Sequence, residues 1–452
     1  MATYKRLDEL GRGSFGTVHL CQDSAGGMYA QKTFEPSPSV EAAIKSGRVQ
    51  EDELRKRFVS EAKYQSHIDH PNVVAVIDQN MDATPPYFVM ELAQKTLRED
   101  LDIDVTLNGN QEAALFDILA GLEAIHEKGI YHRDLKPANV LRLKNPAGDM
   151  RYAISDFGLM KSTVGDTTTL TATGTTGGTE RYAAPELMSN FKRATARSDI
   201  FSFGVILLDF FAPKVPRIPY TEVQMAGAVG KVASKCTKMV AARRYGTVAE
   251  LRAALYEALK AEPPIYASTG EQHAVEALES DTELTDQQWD QIFLLLEDED
   301  LSQKSHKRLL RLFTKDHLIW LHTNAPDLHS AYANYFCDYL DRAEGELNFD
   351  YCDVAADKLE WLFELGEVST QARSLISLLI MGASHNRWYV ESKFFRLAGT
   401  ALPLSVAERV VAEIDVRELD FEHHLAHIER SISADRKNLH SGLHVLWAGN
   451  AS

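Results

Sequence analysis

The pattern of hydrophobic and polar positions divides the chain into two parts. Up to about residue 260, strand-like alternation around glycines comes first and helical spacing follows, whereas the later part has helical spacing throughout. Near the start, the residues from Val18 to Phe34 read as a strand, a tight turn at Gly26 and Gly27, and a second strand. We therefore expect an α+β domain that is followed by an all-α domain.

Helix-start signals support the all-α interpretation of the later part. Thr285 with Gln288, and Ser405 with Glu408, have the spacing of a capping box ahead of an apolar helical stripe. Between them, another helical run is interrupted at Gly366. No internal repeat is evident in this part of the chain.

The boundary between the two parts is marked by residues that break helices and strands. The segment 261–282 begins with a Pro-Pro pair and continues with serine, threonine and glycine. We predict a linker at 261–282, which separates a domain at 1–260 from an acidic helical domain at 283–452.

Charge is distributed unevenly between these domains. The 452-residue chain has a net charge of −17, but residues 1–260 carry 32 basic and 32 acidic side chains, so the later residues carry 16 basic against 33 acidic ones. An acidic region repels phosphate backbones, so we expect no direct nucleic-acid binding. We favour solvated acidic helix faces over an acidic docking site.

Cysteine usage and hydropathy indicate a cytoplasmic protein. The four cysteines show no metal-ligand spacing, which fits buried thiols in a reducing compartment. The N-terminus has no apolar segment of the signal-peptide type. The apolar run at 203–212 is interrupted by Asp209 and is too short to cross a bilayer, so we expect no membrane association.

A glycine-rich segment lies between the start of the chain and the predicted hairpin. Gly11, Gly13 and Gly16 follow Leu10, and this spacing lets the backbone approach phosphate groups closely. The motif alone is weak, because dinucleotide-binding folds use it ahead of a helix. Here Val18 continues into a hairpin, which favours a loop over nucleotide phosphates.

A lysine on the second predicted strand has a candidate partner. A single strand lysine is usually a solvated edge residue, but Glu61 lies on a predicted helix from which it could meet Lys32. A lysine held by a glutamate becomes a positioned positive charge for phosphate oxygens.

The strongest chemical signal is the string from Tyr131 to Val140. Phosphoryl transfer needs a proton acceptor for the attacking hydroxyl, a cation at the transferring phosphoryl group and magnesium ligands. Asp134, Lys136 and Asn139 supply one of each, and Asp156, in the sequence Asp-Phe-Gly, supplies a second magnesium ligand.

These motifs, in this order, resemble those of the eukaryotic-type serine/threonine protein kinases, including the bacterial members, over residues 4–258. The resemblance implies a bilobal fold, a β-rich lobe followed by a helical lobe, and use of ATP and Mg²⁺. It implies that Asp134 is the catalytic base, that Lys32 pairs with Glu61, that Lys136 meets the γ-phosphate, and that Asn139 and Asp156 hold magnesium. The nucleotide-binding positions that it implies are Leu10, Gly11, Gly13, Gly16, Val18, Ala30, Lys32, Met90, Glu91, Ala93 and Leu141.

The same resemblance gives a role to a threonine-rich stretch between Asp156 and Glu186. It implies an activation loop whose phosphate pairs with Arg133, so we expect an autophosphorylated protein. An unmodified flexible linker is the alternative. The candidate phosphosites are Thr171 and Thr173, with Thr175 and Thr176 as rivals. We assign Thr179 to the substrate-binding loop.

Two departures from the kinase pattern are visible. The stretch at 210–236 is short, so we expect the helix that usually lies there to be abbreviated. The stretch at 35–54 is long, and we favour a surface insertion over an extra helical turn that senses a partner. Asp199 resembles the aspartate that braces the catalytic loop, and Arg244 resembles the partner of Glu186.

The helical tail shows no motif of a second enzyme. His423 and His427 share a helical face, but without further metal-ligand spacing we favour surface or packed histidines, His424 included, over a zinc site. We interpret the tail as a regulatory or target-recruiting domain that binds a regulatory protein.

Three functions are compared. The first is an active kinase for serine and threonine of proteins, in an intracellular stress or defence pathway. The second is a pseudokinase scaffold that acts through the tail, which the intact Lys32, Asp134, Asn139 and Asp156 disfavour. The third is a small-molecule phosphotransferase, which the segment ending at Glu186 disfavours.

Overall fold

The computed structural model describes residues 3–13, 15–144, 150–157, 180–189, 194–260, 266–280, 283–298, 300–343 and 347–448. They belong to two compact units, Met1–Lys260 and Ala261–Ser452. Within these ranges, helices long and apolar enough to cross a membrane are absent. The five threonines to which we assign a role in the activation segment lie outside the described residues: Thr171, Thr173, Thr175, Thr176 and Thr179.

The first unit begins with a five-stranded antiparallel sheet in the order β1-β2-β3-β5-β4. Its strands are β1 (Lys5–Arg12), β2 (Thr17–Gln22), β3 (Met28–Thr33), β4 (Val76–Asn80) and β5 (Tyr87–Met90). The predicted hairpin is formed by β2 and β3, which pair from Thr17–Thr33 to Gln22–Met28. Gly26 turns the chain between them with φ of 92°, a conformation that glycine adopts without a Cβ penalty.

Two helices cover this sheet, α1 (Pro38–Lys45) and α2 (Glu51–Ser66). Helix α1 corrects our expectation of a surface insertion at 35–54, because Val40 and Ala43 are buried in the apolar core of the sheet lobe. Val49 is buried in the same core, to which Phe58 of α2 also belongs. The inserted residues therefore complete the core around α2 and are not a surface loop.

The remainder of the first unit is largely helical, as expected for a bilobal α+β fold. It contains α3 (Leu97–Ile103), α4 (Gln111–Glu127), α5 (Glu186–Ser189), α6 (Ala196–Phe211), α7 (Gly227–Cys236) and α8 (Val248–Leu259), with a small sheet of β6 (Lys95–Thr96), β7 (Val140–Lys144) and β8 (Met150–Ile154). Helix α6 is buried along nearly its whole length and forms the centre of this lobe. No helix occurs at 212–226, all of which the structure describes, and α7 is the only helix that begins within the short stretch at 210–236.

The second unit is helical throughout its described residues. Its helices are α9 (Thr269–Leu278), α10 (Asp286–Glu297), α11 (Gln303–Leu312), α12 (Lys315–Asn324), α13 (Pro326–Arg342), α14 (Phe349–Leu365), α15 (Val368–His385), α16 (Trp388–Leu397), α17 (Leu404–Val416), α18 (Phe421–Ile432) and α19 (Val445–Ala448). Helix α15 is central, because α13, α14, α16, α17 and α18 all pack against it.

The helix signals in this unit have mixed outcomes. Thr285 and Gln288 form the predicted capping box at the start of α10, and α14 ends before Gly366. The predicted box of Ser405 and Glu408 is wrong, because α17 already begins at Leu404 with Pro403 as its N-cap residue.

The predicted linker at 261–282 also differs from the structure. It contains α9, whose start is capped by the Ser268 side chain, which accepts a hydrogen bond from the backbone N–H of Glu271. Val275 and Leu278 are buried, and α9 packs against α10 and α11. The serine, threonine and glycine that we interpreted as a linker therefore belong to a helix start.

Candidate active site

Strand β3 and helix α2 bring the predicted lysine and glutamate together. The Lys32 ammonium group lies 2.7 Å from Glu61 Oε1 and 2.5 Å from Asp156 Oδ1. Phe58, which lies one turn before Glu61, holds helix α2 in this position. The Phe58 ring contacts the rings of Phe34 and Phe88. The structure thus joins residues from three separate motifs.

The electrostatics of this cluster keep Lys32 charged. Burial lowers the pKa of Lys32, but attraction to Asp156 and Glu61 outweighs it, so the pKa lies above its ordinary value. For Asp156, removal from water raises the pKa, but Lys32 and the nearby Lys136 lower it further, so the net shift is downward. A positive lysine and an ionised Asp156 are the forms suited to phosphate oxygens and a metal ion.

The loop before β7 places the predicted base. Lys136 Nζ lies 3.0 Å from Asp134 Oδ2. The Asn139 side-chain nitrogen donates a hydrogen bond of 2.9 Å to the Asp134 carbonyl oxygen, which fixes the amide orientation. The Ser155 backbone N–H donates to the Asn139 carbonyl at 2.9 Å and connects this loop to the residue before Asp156.

A buried carboxylate holds the backbone of this loop. Asp199 of α6 accepts hydrogen bonds of 2.8 Å from the backbone N–H groups of His132 and Arg133 and from the His126 ring. Burial raises the pKa of Asp199, but the hydrogen bond from His126 and its other partners keep the pKa below the usual value. These bonds stabilise Arg133 at a φ of 65°, in the left-handed region.

The glycine-rich segment forms the turn between β1 and β2. The Gly13 N–H donates to the Gly16 carbonyl at 2.8 Å. A Cβ added at Gly16 would lie 2.8 Å from the Thr33 carbonyl oxygen, whereas one added at Gly11 would meet no described atom within 4 Å. Gly16 therefore lets the turn approach β3 as a larger residue could not.

The predicted adenine-binding positions share the apolar core of the sheet lobe. Those in or against this core are Val18, Ala30, Met90, Ala93 and Leu141, and Leu92 joins them. Leu10 lies half exposed on β1. Glu91 directs its side chain away from this core, since its carboxylate accepts hydrogen bonds from Arg151 at 2.8 Å and from the Ala75 N–H at 3.2 Å.

The Ala-Pro-Glu end of the activation segment is anchored in the helical lobe. Glu186 accepts two hydrogen bonds of 2.8 Å from Arg244 and one of 2.8 Å from the Ser198 hydroxyl. Nearby, Asp209 accepts from Arg181 at 2.7 Å and from Tyr182 at 2.5 Å. Two carboxylates therefore fix this end of the segment: Glu186, which belongs to the segment, and Asp209, which belongs to α6.

The residues present suit a nucleotide and a magnesium ion. Two hard oxygen donors are available, the Asp156 carboxylate and the amide oxygen of Asn139, whose nitrogen is already engaged. The close turn at Gly16 and the buried cation of Lys32 suit phosphate oxygens. Asp156 has a φ of 57°, so the backbone adopts an unusual conformation at this position.

Several side chains that organise this site were missed from the sequence. His126 lies on α4 and reaches Asp199, and Ser198 reaches Glu186 across the fold. Arg151 on β8 pairs with Glu91. None of them belongs to a local motif, and each contact joins distant parts of the chain, so no sequence signal identified them.

The chain belongs to the protein kinase domain family, whose sequence pattern it matches over residues 4–245. The resemblance to serine/threonine kinases of bacteria is confirmed by individual relatives. A probable serine/threonine-protein kinase PknB of Lactococcus lactis is 31% identical over 217 residues, which are 47% of this chain and 32% of that protein.

Two further relatives show the same extent of similarity. The serine/threonine-protein kinase PknJ of Mycobacterium tuberculosis is 30% identical over 216 residues, or 48% of this chain and 35% of that protein. The serine/threonine-protein kinase PksC of Streptomyces coelicolor is 34% identical over 224 residues, or 47% and 38%. The chain thus spans about a third of the length of these relatives, and the similarity is confined to roughly half of it.

Proposed function

We propose that the protein transfers the γ-phosphate of ATP to serine or threonine hydroxyl groups of proteins. The observation that carries this proposal is the contact of Lys32 with both Glu61 and Asp156, beside the Asp134 and Lys136 pair. Phosphoryl transfer depends on such positioned charges more than on covalent chemistry of the protein.

In this proposal the hydroxyl oxygen of the substrate attacks the γ-phosphorus, and Asp134 accepts the proton of that hydroxyl group. The bond from the γ-phosphorus to the bridging oxygen breaks, and ADP leaves. Lys136 neutralises charge on the transferring group, and Lys32 positions the other phosphates. Asp199 contributes indirectly, because it fixes the backbone of the loop that carries Asp134.

The nucleotide occupies the turn containing Gly16 and the apolar positions around Ala30 and Met90. Asn139 and Asp156 would hold Mg²⁺, which supplies positive charge at the phosphate oxygens. In the segment after residue 90, the backbone groups of Glu91 and Ala93 are the candidates for contacts with the adenine ring. The side chain of Glu91 is already engaged by Arg151.

Regulation by the threonine-rich segment is part of the same proposal. Autophosphorylation at Thr171 or Thr173, or at Thr175 or Thr176, would place a phosphate for Arg133 to bind. Within the part of the chain that the structure describes, Arg133 Nε is buried without a hydrogen-bond partner. A buried guanidinium N–H that lacks an acceptor suits an incoming phosphate oxygen.

The second unit, in this proposal, recruits a target or receives a regulatory signal in a cytoplasmic stress or defence pathway. Groups of three or more metal-ligating side chains are absent from the described residues. His427 contacts the Asn386 side chain at 3.1 Å, and His424 contacts the Asp420 carbonyl at 2.7 Å, which supports packed histidines.

Phosphosite mapping tests the proposal. The purified full chain and the Asp134→Asn variant are each incubated with ATP and Mg²⁺, and phosphorylated residues are identified by mass spectrometry. We expect phosphate on the threonine-rich segment of the wild-type chain alone, and none when Mg²⁺ is chelated.

Two other results carry different meanings. Clean threonines in the wild-type chain, together with an absence of ATP binding in calorimetry, would contradict the proposal and favour a pseudokinase scaffold. Equal phosphorylation of both proteins would contradict Asp134 as the catalytic base.

A further inference from the structure

The second unit contains a polar groove of about 450 Å³. Helices α13 and α17 form its walls, and both pack against α15, whose first turn forms the floor. Each wall presents side chains at i, i+4 and i+8, which lie on one helix face. They are Ser330, Asn334 and Asp338 on α13, and Arg409 and Glu413 on α17 with Arg417, its C-cap residue. A groove of this volume is in the range of small-molecule sites.

The floor offers hydrogen-bond donors for an anionic group. Thr370 is only 4% exposed and lines the groove, and its hydroxyl group makes no hydrogen bond to the rest of the described chain. Glu367, the N-cap residue of α15, provides no side-chain hydrogen bond to the first-turn N–H groups. A hydroxyl group that lines a groove and has no protein partner is available to a ligand or to water.

Arginines extend this donor set. Arg373, one turn along α15, is mostly buried, and it contacts Asp338 and Asp341 through Nη2 alone. Among the described residues its Nε and Nη1 groups have no acceptor, so they remain available to a ligand. On the wall, Arg409 contacts Glu413 through Nε and through Nη2, the latter at 2.6 Å. Within the described residues its Nη1 group is likewise available to a ligand.

The charges around the groove decide what kind of ligand fits. Three guanidinium groups are balanced by three carboxylates, those of Asp338, Asp341 and Glu413. A phosphate dianion would bring excess negative charge against the carboxylates, whereas a ligand with one anionic and one cationic group finds a partner for each. Asp338 uses only Oδ1 toward Arg373, and its side chain is about half exposed.

We propose that this groove binds a small zwitterion of the α-amino acid class. The ligand carboxylate would lie on the floor and accept hydrogen bonds from Thr370, Arg373 and the first turn of α15. The ligand ammonium group would donate to Asp338, and Ser330 and Asn334 would face the ligand's own side chain. This site is separate from the nucleotide site and does not depend on phosphoryl transfer.

Isothermal titration calorimetry on the full chain tests the proposal. The twenty common amino acids are titrated singly up to about 10 mM, which detects dissociation constants near the millimolar range. We expect at least one to bind with 1:1 stoichiometry. Its N-acetyl and methyl ester derivatives, which each lack one charge, should bind at least about tenfold more weakly, a difference of about 1.4 kcal/mol.

Variants locate the binding. Thr370→Val removes the hydroxyl group with little change of shape, and we expect it to weaken binding about three- to tenfold, the range of one hydrogen bond. Arg409→Gln should weaken it to a similar extent. Arg396→Gln is the matched control, because Arg396 is equally exposed and also pairs with a glutamate, Glu360, but lies outside the groove.

The opposing outcomes are distinct. If none of the twenty amino acids binds in the titrations, the proposal is overturned. Binding of the N-acetyl derivative or of inorganic phosphate as tightly as the free amino acid would also overturn it, in favour of a site for anions alone. Because no ATP is present, none of these results depends on kinase activity.

Discussion

The buried pair of Glu186 and Arg244 allows a quantitative prediction about stability. The Arg244 side chain is fully buried, and its two terminal nitrogens each donate to one oxygen of Glu186 at 2.8 Å. In the variant Glu186→Gln, the amide nitrogen replaces one acceptor and faces an N–H donor. The substitution therefore breaks one bond and leaves Arg244 without a negative partner.

The expected loss lies between two known magnitudes. Breaking a buried ion pair costs about 3–5 kcal/mol, and losing one hydrogen bond to a charged group costs about 1.5–3 kcal/mol. Arg244 keeps its bonds to the carbonyl groups of Lys238 and Arg197 and its position over the Phe201 ring. We therefore expect a loss of about 3 kcal/mol, or a urea midpoint lower by roughly 1 M if the slope is about 3 kcal/mol/M.

The distribution of tryptophan provides an internal reference for the assay. All five tryptophans follow residue 260, so tryptophan fluorescence reports the second unit, whereas far-UV circular dichroism reports the helices of both units. Unfolding of the first unit should therefore change the circular dichroism signal without changing tryptophan fluorescence. We expect Glu186→Gln to lower the urea midpoint of that transition. Asp102→Asn is the control, because its pair with Arg98 is exposed and is worth less than about 1 kcal/mol. Equal midpoints for Glu186→Gln and the control would refute the reasoning.

Further predictions concern pH, the nucleotide loop and the lysine partner. Burial raises the pKa of Glu186, but the hydrogen bonds from Arg244 and Ser198 lower it by more, so the pKa lies below its usual value of 4.5. The ion pair should therefore stabilise the first unit fully above pH 4.5 and progressively less as the pH falls through the pKa of the folded state. In an acid titration followed by circular dichroism, Glu186→Gln should lose less stability than the wild-type chain. Burial, with a smaller effect of Lys358, lowers the pKa of His317 to about 4. The unfolded chain therefore binds a proton at a higher pH than the folded chain, and the second unit should lose stability as the pH falls from 6.5 to 4. His317→Gln should reduce this loss of stability, measured by tryptophan fluorescence, and an unchanged pH profile would contradict a buried neutral ring. Gly16→Ala should weaken ATP binding in calorimetry by about tenfold, or about 1.4 kcal/mol, whereas Gly11→Ala, where a Cβ meets no described atom within 4 Å, should bind normally. Glu61→Gln should lower kcat/KM by about 10- to 100-fold, because Lys32 loses the partner that positions it, whereas Glu53→Gln on the exposed face of the same helix should not. Equal kcat/KM values for the two variants would show that Glu61 does not position the lysine.

Local signals predicted the elements that depend on local chemistry. Gly26 and Gly27 indicated the β2–β3 turn, and Thr285 indicated the start of α10, because turn and cap preferences act over a few residues. Motif order also indicated that Lys32 and Glu61 meet, since the resemblance to kinases supplies the fold that joins them.

The misses have physical reasons. Ser405 has the spacing of a cap, but Pro403 is the N-cap residue, and the helix starts at Leu404, two residues earlier than a Ser405 cap would start it. In the stretch at 35–54, Val40 and Val49 are buried because they join the same apolar core as Phe58, which sequence spacing does not report. His126, likewise, acquires its role only because α6 places Asp199 beside it.

The most direct test of the central claim compares phosphoryl transfer by the wild-type chain and the Asp134→Asn variant. Transfer from labelled ATP is measured with the inactive Lys32→Met chain as the protein substrate, and ATP affinity is measured separately by calorimetry. We expect Asp134→Asn to lower the transfer rate by about 10²- to 10⁴-fold, the contribution of general base catalysis, while ATP affinity changes little. A variant that transfers phosphate at the wild-type rate with unchanged ATP affinity would contradict the assignment of Asp134 as the catalytic base.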